Sequence, residues 1–279
     1  MTFWYALCDV LPLPMLQWDF MKNALLAVII MAPLFGLTST MIVTGKMSFF
    51  SDALGHSAFT GIAIGAIFGV AAPTWVAVIF SIAFAILFSV VRSHSNQTAD
   101  TLIGVFSSTA VALGIFIATM NGGSFTKYNR YLIGDILSIS ATEIALLLFV
   151  LIGITTLWFF LSNKLILASV HPQLAASRGI SVAVAQTLFT VAISVVVTLS
   201  ISWIGLLILN SLLVLPGAAS RNISKNLKQY HLFSVLIALI AGITGLCISY
   251  QLGVSAGSAI SLVAALLFFI SFIFRRGRR

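Results

Sequence analysis

The sequence predicts an all-α polytopic membrane protein with about nine transmembrane helices, and three observations carry that expectation. Of 279 residues, 60% are hydrophobic and 7% charged, with a mean hydropathy of +1.15; no soluble core of this length needs so much apolar surface. A bilayer core about 30 Å thick takes about 20 apolar helical residues to cross. Nine runs of that order stand between polar breaks, at 22–43, 52–71, 74–91, 101–119, 142–161, 182–201, 204–219, 232–249 and 258–274. The short alternating strands of a transmembrane barrel are not in the pattern.

The third observation is charge. With the terminal RRGRR in the cytoplasm, nine crossings threaded backward place Lys46, Arg92, Lys164, Arg178, Arg221, Lys225, Lys228, Arg275, Arg276, Arg278 and Arg279 inside, and only Lys22, Lys127 and Arg130 outside. That asymmetry follows the positive-inside rule and predicts an external N-terminus and a cytoplasmic C-terminus. Topology and contact with anionic membrane lipid account for the net charge of +8, so no nucleic-acid partner is expected.

The chain divides into an external interfacial segment, 1–21, a single transmembrane domain, 22–274, and a basic tail, 275–279. Its first 19 residues carry no basic residue, so a cleaved signal peptide is not expected. Trp4, Tyr5 and Trp18 with Pro12 and Pro14 predict a broken segment in the outer interface. Cys8 and Cys247 stand alone, without disulfide or thiolate-metal spacing. After the first crossing, Gly45-Lys46 is followed by Met47, without the upstream Gly and the hydroxyl of a phosphate-cradling loop. By that route the chain cannot hydrolyse ATP; it is read as a transport subunit and not an enzyme, with no cofactor.

The second crossing opens SDALGHSAFTG. Asp52 and His56 at i and i+4 fall about 40° apart on a helix, one turn above the other. An ionised Asp near the bilayer centre costs about 2.5 to 3.5 kcal/mol, so it is normally paired or bordered by water. Two readings stand: Asp52 caps the helix with His56 as its partner, or the pair holds a cation. A carboxylate oxygen with an imidazole nitrogen suits Mn²⁺, Fe²⁺ or Zn²⁺, and two ligands make a weak transit site rather than a closed structural one. Gly61, Gly65 and Gly69 form a small-residue stripe roughly opposite, suited to helix packing.

Asp100 opens the fourth crossing, where a carboxylate complements the helix dipole. Asp135 and Glu143 flank an outer stretch and are read as solvated carboxylates or as attractors of cations. In the longest inner loop, 163–181, Pro172 suits a first helical position and Gly179 a C-terminal stop, predicting a short helix that either docks a partner or merely lies at the interface. The seventh run carries Asn210 and Ser211 mid-segment, then a Pro216-Gly217 break whose carbonyls neighbours must satisfy. Asn210 and Ser211 line a pore or fill a kinked packing helix. His94, His171 and His231 fall in inner loops and are assigned no role.

The order of these blocks resembles the manganese/zinc/iron-type permease family of ABC transporters, the membrane subunits of bacterial metal importers. FFSDALGHSAFTGIAIG is similar to that family's G-D-A-L-S-H-A-x-x-P-G signature, and TADTLIGVFSSTAVALGIFI to its acidic residue and following G-I-x-F-S-S-x-x-A-L-G helix. YLIGDILSIS, HPQLAASRGI, IGLLILNSLLVLPGAASR and GLCISYQLGVSAGSAISLVAALLFF resemble its remaining blocks in register, from about residue 45 to 270. The resemblance implies a type II importer fold in the bacterial plasma membrane, passing a divalent metal ion inward as transported substrate. It implies three kinds of partner: a second permease copy, two cytoplasmic ATP-binding subunits, and an extracellular or periplasmic metal-binding solute-binding protein. By it, Asp52 and His56 contact the metal in transit and Asp100 becomes an inner-path carboxylate. Pro172, Gln173, Leu174, Ala175, Arg178 and Gly179 then belong to the helix that couples to the ATPase. The sequence departs from the family pattern at Ser51, Gly55, Thr60, His171 and Gln173. The rival is a secondary transporter or channel using Asp52 as a proton or sodium carboxylate.

Overall fold

The computed structural model describes residues 2–10, 14–70, 72–120 and 135–275. Pro12, Lys127 and Arg130, expected outside, the residues YLIG at 131–134 and the last three arginines lie outside the described residues.

Eleven α-helices account for most of the described chain: α1 Thr2–Val10, α2 Asp19–Thr44, α3 Phe50–Ile67, α4 Pro73–His94, α5 Ala99–Thr119, α6 Ala141–Val170, α7 Pro172–Ser177, α8 Val182–Ile204, α9 Leu206–Ile223, α10 Leu227–Leu252 and α11 Ala256–Ile273. Short 3-10 turns stand at Pro14–Gln17 and Ile136–Ser138. Each predicted crossing contains a helix. Eight of the helices are long and apolar enough to cross a bilayer, and α3 is not among them. Asp52, His56 and three hydroxyl residues, Ser51, Ser57 and Thr60, lower its hydropathy, and thirteen of its eighteen residues are buried within the fold.

Local chemistry sets the ends. Asn226 accepts from Gln229 N–H at 2.9 Å, so α10 starts at Leu227 and His231, expected in a loop, lies one turn inside the helix. Ser140 and Glu143 form a capping box at α6: the Glu143 carboxylate accepts from Ser140 N–H at 2.7 Å while Glu143 N–H donates to Ser140 Oγ. Asp135 likewise accepts from Leu137 N–H at 3.0 Å. Both outer carboxylates therefore serve local caps. Of the predicted glycine stripe, only Gly61 and Gly65 lie in α3; Gly69 follows it at φ 65°. Val70 N–H donates to Gly65 O and Gly69 N–H to Ala66 O, a left-handed stop in place of a packing surface.

The chain forms two compact units. The first comprises Met1–Thr40, Asp135–Thr155 and Trp203–Arg279, and in it α9, α10 and α11 pack on one another. The expected broken N-terminal segment contains the helix α1, tied to the start of α2: Trp4 Nε1 donates to Lys22 O at 2.9 Å, Tyr5 OH to Asn23 Oδ1 at 2.9 Å, and Lys22 Nζ meets Asp9 at 2.6 Å.

Pro216 interrupts α9, because proline lacks the N–H that would continue the ladder. A hydroxyl from α2 fills the break. Gly217 N–H donates to Ser39 Oγ at 2.8 Å, and Ser39 Oγ to Val214 O at 3.3 Å. Nearby, Tyr230 OH donates to Thr40 O at 3.0 Å, His231 Nδ1 lies 2.9 Å from Thr40 Oγ1, and Ser234 Oγ donates to Gly36 O at 2.7 Å. These bonds join α2, α9 and α10 around Pro216, where the helix lacks a backbone N–H.

The second unit comprises Met41–Gly134 and Thr156–Ser202. Its packing centres on α3, which lies against α4 and α5. Gly61 abuts the Ala77 backbone, and a Cβ on Gly65 would stand 3.0 Å from Pro73 Cα, so the two glycines bring α4 into backbone contact.

A Cβ at Gly217 would lie 2.6 Å from Ser39 Oγ and 2.7 Å from Ser39 O, both on a fixed backbone or its bonded hydroxyl. Gly217→Ala is expected to destabilise the detergent-solubilised protein by about 1–3 kcal/mol, the usual range for overpacking. Gly153→Ala, where nothing lies within 4 Å, should not lower the melting temperature. Equal melting temperatures for the two variants would refute the bridging role of Ser39.

Candidate functional site

Phe50 begins α3 with its N–H on Met47 O at 2.9 Å, so Asp52 falls in the first turn, where the helix dipole favours a carboxylate. Thirteen residues of α3 are buried; Asp52 and His56, one turn apart, are left partly exposed in its first half, and Ile64, Ala66 and Ile67 near its end. The Asp52 side chain is 42% exposed and that of His56 25%.

Asp52 Oδ2 and His56 Nε2 are 3.5 Å apart. Two ligands bonded at about 2.1 Å to one tetrahedral ion stand roughly 3.4 Å apart, so the pair already has the spacing a shared divalent cation needs. The geometry also allows the two side chains to pair with each other in the absence of an ion, which keeps the carboxylate compensated. The i,i+4 spacing thus delivers what the sequence predicts.

The backbone beneath the pair is held by Thr60, which the sequence marks only as a departure from the family pattern. Thr60 Oγ1 lies 3.0 Å from His56 O and 2.7 Å from Ala110 O of α5. The hydroxyl links the carbonyl of the His56 turn to the neighbouring helix. Gly114 makes room: a Cβ there would meet Thr60 Oγ1 and Phe59 at 2.7 Å. On the opposite side, Ser57 Oγ lies 3.1 Å from Ser81 Oγ of α4. Together these contacts fix the rotation of α3 and hence the direction in which Asp52 and His56 face. A periodicity argument could not find Thr60, because its partner is fifty residues away.

Asp100 lies exposed in the first turn of α5, which Thr98 caps by accepting from Thr101 N–H at 3.3 Å. Among the described residues no group of three His, Cys, Asp or Glu is close enough to hold one metal, so Asp52, His56 and Asp100 do not form a common site in a single chain.

The short helix α7 forms where predicted. Pro172 occupies its first turn, and Gly179 at φ 72° ends it with Ile180 N–H on Ala175 O and Gly179 N–H on Ala176 O, both at 3.0 Å. Ala175 is buried, whereas Gln173, Leu174, Arg178 and Gly179 are exposed. One apolar and one cationic side chain thus project from a helix anchored by a single alanine. On α9, Asn210 and Ser211 are half-buried, and Ser211 Oγ lies 2.8 Å from Leu207 O and 2.9 Å from Ser261 Oγ of α11. The Ser211 hydroxyl therefore makes a helix-to-helix tie.

Comparison with known proteins agrees with this architecture over nearly the whole chain. The sequence is 28% identical to the high-affinity zinc uptake system membrane protein ZnuB of Haemophilus influenzae, across 94% of this chain and 100% of that protein. It is 29% identical to the manganese import system permease protein ScaB of Streptococcus parasanguinis, across 92% of this chain and 91% of that one. The solved structure of PsaBC from Streptococcus pneumoniae in complex with Fab contains a chain that matches with a TM-score of 0.78 at 29% identity, covering 91% of each chain. Residues 17–275 match the ABC 3 transport family, and this multi-pass membrane protein belongs to it.

Proposed function

We propose that the chain is the membrane-spanning permease of an ATP-driven importer for a divalent transition-metal ion, manganese or zinc, with Asp52 and His56 contacting the ion in transit. The observation that carries this reading is the 3.5 Å spacing of an oxygen and a nitrogen ligand left partly exposed on a mostly buried helix. Family membership and the zinc and manganese relatives support it.

Energy for transport comes from two ATP-binding subunits on the cytoplasmic side, which dock on α7 through Leu174 and Arg178. The basic loops give that face its side, with the N-terminus outside and the C-terminus inside. A second permease copy completes the path, and an external solute-binding protein delivers the ion. His171 and Gln173 replace acids of the family pattern, so the docking groove on the ATP-binding subunit is less basic than an acidic loop requires. Two protein ligands hold the ion loosely, as passage requires. The stability order of divalent ions favours Zn²⁺ over Mn²⁺ at any such pair, so the choice of metal rests on geometry and the delivering protein.

In cells carrying the whole importer, Asp52→Ala with His56→Ala should lower accumulated manganese or zinc at least about tenfold, a scale set by the loss of metal-site partners. Unchanged metal content would reject the pair as ligands, and uptake by the purified chain alone on an ion gradient would reject the ATP-driven reading in favour of a secondary transporter.

Leu174→Asp should weaken assembly with the ATP-binding subunits at least about tenfold, the effect of removing an apolar anchor at an interface. The melting temperature of the isolated chain should hold, because the side chain is 44% exposed. Undiminished co-purification of the ATP-binding subunit would remove α7 as the docking element.

A further inference from the structure

A cavity of about 300 Å³ lies within the second unit, beside the turn that joins α2 to α3. Its wall is divided by chemistry: Lys46 and Arg92 supply positive charge, Ser169 and Gln186 neutral hydrogen-bonding groups, and Met41 and Phe189 apolar surface. No ion pair of Lys46 or Arg92 is found among the described residues. All six carboxylate residues, Asp9, Asp19, Asp52, Asp100, Asp135 and Glu143, are among the described residues, and the ion pairs found are those of Lys22 and His56. The half-buried Arg92 places Nη1 2.9 Å from Met47 Sδ, a thioether and a weak acceptor for a group with five donors. Lys46 stands in the turn at φ 53°, a left-handed conformation unusual for a residue with a side chain. The first residue of α5, Ala99, also lines the cavity and brings the positive end of that helix's dipole to it. Asp100, next in sequence, is exposed and makes no ion pair with either cation.

Such a site calls for an anion with several oxygens on a partly apolar body. A guanidinium fork and an ammonium match phosphate oxygens, the first in a bidentate manner. The cavity is built from the ends of α2, α4 and α6 and the beginnings of α5 and α8, helices long enough to span a bilayer. That is the level of lipid headgroups, where basic pockets between helices take anionic lipids. We propose that this cavity binds the headgroup phosphodiester of an anionic phospholipid, with Arg92 and Lys46 as its cationic contacts. The assignment to the cytoplasmic leaflet rests on the topology proposed above; the phosphate chemistry does not.

The test is titration of the full-length, detergent-purified protein with phosphatidylglycerol or phosphatidylcholine, read by native mass spectrometry. Lys46→Gln should weaken one phosphatidylglycerol site about fivefold, and Lys46→Gln with Arg92→Gln about 25-fold, from the usual contribution of each basic residue near a membrane surface. Phosphatidylcholine should bind all variants alike. Lys46 is exposed in a turn, so its single variant keeps the test decisive where the Arg92 change impairs folding. Equal phosphatidylglycerol affinity for wild type and Lys46→Gln would overturn the proposal. Displacement of the lipid by excess inorganic phosphate would assign the cavity to a free oxyanion instead. Loss of the ATP-binding subunit in Lys46→Gln with lipid affinity unchanged would assign it to a protein carboxylate. Asp52 and His56 stay native in these variants, so failure here leaves the metal reading standing, and failure of that reading leaves this one.

Discussion

An ionisable pair placed on a single stripe of α3 constrains much of what surrounds it. A helix carrying Asp52 and His56 tolerates little contact with hydrocarbon, since each charged group at membrane depth costs a few kcal/mol on the lenient scale. The second unit meets that constraint by covering α3 on its other sides with α4 and α5. Close cover demands small residues at the crossings, which is where Gly61, Gly65 and Gly114 stand. It also demands that the helix not rotate, because a turn of one residue, about 100°, would bury the pair. Thr60 on Ala110 O and Ser57 on Ser81 supply that restraint through hydrogen bonds in a low-dielectric interior.

The first unit solves a different problem with the same chemistry. Pro216 breaks the ladder of α9, and the free backbone groups there cannot be left to lipid. Ser39 accepts from one and donates to another, so a side chain of α2 takes part in the hydrogen bonding of a second helix. The glycine after the proline is what permits the approach. In this chain, a buried hydroxyl bonded to a backbone carbonyl of another helix marks a structural join, whereas the ionisable pair Asp52 and His56 is left partly exposed.

That distinction explains what was legible beforehand. Properties carried by neighbouring residues were readable: the nine helical segments, the i,i+4 register of Asp52 and His56, and the short helix bounded by Pro172 and Gly179. Properties carried by distant partners were not. Thr60 reads as an ordinary threonine until Ala110 is placed beside it, and His231 as a loop residue until Thr40, 191 positions earlier, receives it. Gly69 failed for another reason: equal spacing predicts a stripe only while the helix lasts, and the helix stops at Ile67. The hydropathy of α3 also misled in part, since its burial by protein removes the need for an apolar surface that length alone would suggest.

Thr60 shows how a departure from a family pattern can carry information. A proline at this position would lack a side-chain donor and would free a carbonyl one turn earlier, at His56, by removing the backbone N–H that bonds to it. Threonine keeps that N–H and adds a hydroxyl near the same carbonyl, with a second contact to α5. Proline would bend α3 below the His56 turn, whereas threonine holds it against a neighbour. The ligand pair is unchanged in identity, yet the turn that carries it is tethered differently. A tethered turn moves with α5, so any motion of α5 would displace His56 relative to groups that do not move with that helix. In this chain the aim of the imidazole is therefore tied to the position of α5, through the Thr60 hydroxyl and the packing of Phe59 against Gly114.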